Sequence, residues 1–86
     1  MNIHITQDDI DAAKNSDKNV SWARRCPIAQ CLKRMYPDKS VLVTRQFVYL
    51  DLDEYQLDPT GVRFTLRADC YHLDSIKPVD FTMEKT

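Results

Sequence analysis

Cys26-Pro27-Ile28-Ala29-Gln30-Cys31-Leu32-Lys33-Arg34-Met35-Tyr36-Pro37 is the stretch that decides the fold. Pro27 stands where a helix has no use for its first amide, and its ring presets the helical backbone angle. Pro37 cannot continue a helix already begun. A helix is therefore predicted between the two prolines. Ile28, Cys31, Leu32 and Met35 recur at i, i+3, i+4 and i+7, which sets them on one stripe, with Gln30, Lys33 and Arg34 on the other side. The stripe is expected to line a core, because each large aliphatic side chain removed from water contributes roughly 1.5–3 kcal/mol before conformational entropy is subtracted.

Upstream of this helix, Ile3 and Ile5 alternate with polar neighbours as in a short half-buried strand. Thr6 follows as a helix cap, Asp8 and Asp9 sit where the positive end of the helix dipole favours carboxylates, and Ile10 and Ala13 form an apolar side. Residues 14–20 are polar without periodicity and read as a flexible loop, closed by Val20 and Trp22. Downstream, Val41-Leu42-Val43, Phe47-Val48-Tyr49-Leu50 and Tyr55-Gln56-Leu57 predict a hairpin and a short third strand over about 40–57. Thr44-Arg45-Gln46 and Asp51-Leu52-Asp53-Glu54 are the connections. Asp58-Pro59 opens a second main helix running towards His72 or Leu73, with Val62, Leu66, Cys70 and Leu73 at helical spacing. Val79, Phe81 and Met83 alternate in a closing strand over about 79–84. The expected architecture is one small α+β domain over residues 1–86: a short N-terminal strand and two main helices packed on a small, mostly antiparallel sheet.

Composition agrees with one domain. The chain has 86 residues, of which 43% are apolar and 29% charged, enough for one core and too few for two. A single glycine leaves no Gly-rich loop, which excludes Walker-type and Rossmann-type phosphate sites. The start carries no basic leader with an apolar block, and no apolar run is long enough to span a bilayer, so a cytoplasmic protein without membrane contact is expected. Three cysteines, an odd number, point to free thiols. A net charge of -1 supplies no global field for nucleic acid.

No grouping carries catalysis. Cys26, Cys31, Cys70, His4 and His72 lack the close pairing of a structural zinc site, so neither metal nor cofactor is expected. Cys26 precedes a helix, where a thiol is acidified, yet no base is positioned for it by the sequence. Arg24 and Arg25 stand before the open amides of the Pro27 helix, and together with Cys26 and Ile28 they form a candidate anion site. Lys33, Arg34 and Arg45, with the aromatic rings of Tyr49 and Tyr55, make a candidate partner surface. Clustered acids at Asp51, Asp53, Glu54 and Asp58, and at Asp8, Asp9 and Asp11, are explained mostly by turn and cap preferences. An exposed strand edge at Val41–Val43 or Val79–Met83 would allow a homodimer.

Ile5-Thr6-Gln7-Asp8-Asp9-Ile10, Cys26-Pro27-Ile28-Ala29, Tyr55-Gln56-Leu57, and Leu73-Asp74 with Lys77-Pro78-Val79-Asp80-Phe81-Thr82-Met83 occur in an order that resembles a family of small proteins encoded by bacteriophages and prophages. The similarity runs over nearly the whole chain through short motifs. It departs from the family at an insertion-like Lys14 to Trp22 region and in lacking glycines near the second helix. The resemblance implies a non-enzymatic accessory protein acting in a bacterial host cell, with a host protein as partner and host defence as a target. A small anionic ligand such as a nucleotide is the alternative, and a DNA-associated role a further one.

Overall fold

The computed structural model describes residues 1–70 and 73–86, and for Asp69 and Cys70 the backbone only. Strands β1 (Asn2–Ile5), β2 (Val41–Val43), β3 (Phe47–Leu50), β4 (Asp53–Leu57) and β5 (Val79–Lys85) alternate with helices α1 (Gln7–Lys14), α2 (Pro27–Met35) and α3 (Pro59–Cys70). Short 3-10 turns cover Trp22–Arg24 and Leu73–Ser75. The sheet runs β1-β5-β4-β3-β2, and every neighbouring pair is antiparallel. This is the expected α+β domain. No helix among the described residues is long and apolar enough to cross a membrane.

Helix α1 has eight residues, shorter than an isolated helix needs for stability in water. Its first turn is held by a reciprocal cap: the Thr6 hydroxyl accepts from the Asp9 amide at 3.2 Å, and the Asp9 carboxylate accepts from the Thr6 amide at 3.0 Å. Packing of Ile10 and Ala13 against the core supplies the rest. In α2 the cap is Cys26, whose Sγ accepts from the Ala29 amide at 3.5 Å, with Pro27 at the first helical position. Helix α3 starts at Asp58, whose carboxylate accepts from the Gly61 amide at 2.8 Å and from the Thr82 amide at 2.9 Å, tying the helix start to β5.

The register places Ile3, Ile5, Phe81, Met83, Leu57, Val48, Leu50, Val41 and Val43 on one face of the sheet. They are buried there with Ile10, Ile28, Ala29, Cys31, Leu32, Phe64 and Ala68 from the helices. The helices therefore form a second layer on this face.

Four expectations differ from the structure. Met35 is 38% exposed instead of completing the α2 stripe, because the helix ends there and Tyr36 takes the place against the core. Leu66 is likewise 38% exposed, while Phe64 and Ala68 are each 6% exposed. Gly61 sets this rotation: a Cβ there would lie 2.9 Å from the Phe81 ring and 3.2 Å from Leu57, so its absence lets α3 lie close to the sheet along the Gly61, Phe64, Thr65 and Ala68 side. Strand β4 begins at Asp53, since the turn before it needs only Asp51 and Leu52; Asp51 has φ 53° and its carboxylate accepts from the Ser40 amide at 2.9 Å. Val79–Met83 is not a sheet edge but lies in β5, between β1 and β4. The expected helix end at His72 lies outside the described residues, as do the side chain of Cys70 and the ligand role considered for His72.

Candidate functional site

On the side of the sheet away from the helices, strand alternation presents Leu42 from β2, Phe47 and Tyr49 from β3, Glu54 and Gln56 from β4, Asp80, Thr82 and Glu84 from β5, and Asn2 and His4 from β1. Leu42, Phe47 and Tyr49 are half-buried, and Tyr49 stands opposite both Leu42 and Glu54. Hydrogen bonding to Glu54 is the main cause that raises the Tyr49 phenol above its ordinary pKa, so the ring carries a proton donor at neutral pH. At the far border the His4 Nδ1 lies 2.6 Å from an Asp80 carboxylate oxygen. None of these strand positions is a lysine or arginine. The face thus has an apolar half on β2 and β3 and an acidic half on β4 and β5.

The residues expected to form a partner surface are split between the two sides of the molecule. Tyr49 belongs to the open face. Tyr55 projects to the other side of β4 and packs against the core. Lys33 and Arg34 lie on α2, in the helical layer, and both are engaged: Lys33 Nζ donates to the Arg24 carbonyl, and Arg34 binds Asp9. Arg45 is exposed in the β2–β3 connection, where its carbonyl accepts from the buried Thr65 hydroxyl at 3.0 Å. Among these residues only Tyr49 meets the open face. Leu42 and Phe47, not singled out from the sequence, join it there; they become recognisable only once strand pairing sets which alternate positions turn away from the core.

The start of α2 is turned inward. Cys26, Pro27, Ile28 and Ala29 are all buried, and Ile28 is 1% exposed. An apolar hollow of about 200 Å³ lies beside them, walled by Trp22, Val43, Phe64 and Ala68. The Arg25 guanidinium stacks over Trp22, 4.8 Å from the ring centroid, and its Nε donates to the Val20 carbonyl at 2.9 Å. Arg24 is exposed. The four residues read from the sequence as an anion site are therefore neighbours in the chain whose side chains do not converge.

Burial pushes the Cys31 thiol up to about 11, assisted by the nearby Asp9 carboxylate, so it stays protonated while its Sγ donates to the His4 carbonyl at 3.4 Å. Among the described residues no three of His, Cys, Asp and Glu gather as a metal site. Asp9, Asp51, Asp53 and Asp58 of the acidic groups serve as caps, turn partners or ion pairs, Asp53 with Lys85 at 3.2 Å. No protein-family model, no curated protein and no solved structure matches the chain.

Proposed function

We propose that this chain is a non-enzymatic binding protein that engages another protein through the open face of its sheet. The observation that carries the reading is the uncovered row of Leu42, Phe47 and Tyr49 bordered by Glu54, Glu84 and Asp80. Apolar and aromatic side chains beside carboxylates, on strand positions that carry no lysine or arginine, fit a partner that offers lysine or arginine around an apolar patch. A second copy of the same face would bring carboxylates against carboxylates, which favours a different protein over a homodimer. The resemblance to phage-encoded proteins supports a bacterial host protein as that partner and antagonism of host defence as the consequence.

The test is capture from a bacterial lysate on the immobilised chain, run in parallel with a Phe47→Ser/Tyr49→Ser variant whose circular dichroism matches the parent. The parent is expected to retain a specific protein and the variant to lose it, with retention falling as salt is raised. Equal retention of the same protein by both removes the open face as the binding surface.

A further inference from the structure

Helix α3 and the segment leading into β5 enclose a groove of about 360 Å³, within the range of small-ligand sites. Arg63 and Arg67, one helical turn apart, line one wall, and Lys77 lines the other. Thr60 contributes a hydroxyl at one end. Phe64 and Ile76, each 6% exposed, form the apolar floor.

No carboxylate lines this groove among the described residues. Three acids with described side chains are committed elsewhere: Asp58 to Gly61 and Thr82, Asp74 to Lys14 at 2.7 Å, and Asp80 to His4. Arg63 reaches the Thr60 hydroxyl only at 3.5 Å, and no ion pair among the described residues involves Arg67 or Lys77. Like charges one turn apart on a helix repel, so Arg63 and Arg67 disfavour the free helix slightly and would favour it with an anion between them. In a chain of net charge -1, three cations around one concave apolar-floored space are a local reversal of the overall balance.

We propose that this groove binds an organic phosphate of the nucleoside polyphosphate class. The arginines and Lys77 take the phosphate oxygens, with the arginine forks suited to two oxygens at once, and the apolar floor takes the non-phosphate part. This site is distinct from the residues at the start of α2 and from the open sheet face, and it does not depend on a protein partner.

Isothermal titration of the full chain at low salt tests it, with ATP, ADP, adenosine, inorganic phosphate and a single-stranded oligonucleotide as separate probes. ATP and ADP are expected to bind and adenosine not to bind. Arg63→Gln/Arg67→Gln and Lys77→Gln should each weaken ATP by roughly tenfold or more, while Lys18→Gln leaves it unchanged. All four are exposed positions, so the variants retain the fold, as circular dichroism will verify. Absence of ATP binding, or ATP affinity unmoved by the groove variants, overturns the proposal. Inorganic phosphate binding as tightly as ADP overturns the nucleoside class, and binding of the oligonucleotide alone assigns the groove to nucleic acid instead.

Discussion

The guanidinium of Arg34 in α2 grips the carboxylate of Asp9 in α1, Nε to Oδ1 at 3.2 Å and Nη2 to Oδ2 at 3.0 Å, and the same carboxylate closes the cap of α1. Asp9 is 4% exposed, whereas the Arg34 side chain is 52% exposed, so the solvated partner reaches in to the buried one. Asp9→Ala removes a cap bond and a charge-assisted pair together, and is expected to cost about 2 kcal/mol in urea denaturation. Arg34→Met should also destabilise, and the double variant should lose less than the two single losses combined, because each single change already breaks the shared contact.

Acid should weaken this link. Burial pushes the Asp9 carboxyl up, but the Arg34 guanidinium and the Thr6 amide and hydroxyl outweigh it and hold the group below the usual aspartate range. A carboxyl depressed in the folded state stabilises fully above its unfolded pKa, and the gain is lost as pH falls through the folded value. The stability advantage of the parent over Arg34→Met is expected to be constant near neutrality and to narrow below about pH 4. A denaturation series across that range checks it; an advantage that widens on acidification would contradict the assigned pairing.

The rotation of α3 makes opposite demands on two neighbouring apolar residues. Phe64→Ala, which empties a buried site, should cost about 3 kcal/mol, and Leu66→Ala less than about 1 kcal/mol. Gly61→Ala should destabilise despite alanine's better helix propensity, since its Cβ would press on Phe81 and Leu57. Melting temperatures of the three variants give the order directly.

Cys31 should resist alkylation in the folded protein. Its thiol is buried and held protonated, so iodoacetamide at pH 8 is expected to leave it unmodified until urea unfolds the chain. Mass spectrometry of the Cys31 peptide is the readout, and labelling at the rate of a free thiol would place the residue at the surface.

Local signals made much of this fold legible. Thr6 before Asp8 and Asp9, the two prolines bracketing α2, and Asp58-Pro59 announce helix starts within a few residues, and the structure has helices there. Alternation marked the strands. What escaped the sequence depends on partners far apart in the chain. Leu66 matches a helical period, yet Phe64 is the buried residue, and the close approach that Gly61 allows towards Phe81 and Leu57 is visible only in three dimensions. Arg34 had the appearance of a solvated cation until Asp9, 25 positions earlier, came beside it. That Arg63, Arg67 and Lys77 share one groove is not legible in the sequence, because nothing in local spacing announces that Lys77 returns alongside α3. The open face was hidden for the same reason: the sides of Tyr49 and Tyr55 differ by strand register.

The position of β5 sets the order of assembly during synthesis. β1 has no hydrogen-bonded neighbour except β5, and β4 meets β1 only through it. While the ribosome still holds Val79–Lys85, the hairpin strands can pair but the first strand has no strand to pair with. Emergence of those seven residues is then the late event that joins the two portions, and a chain released without them would present two unsatisfied strand edges to its neighbours in the cell.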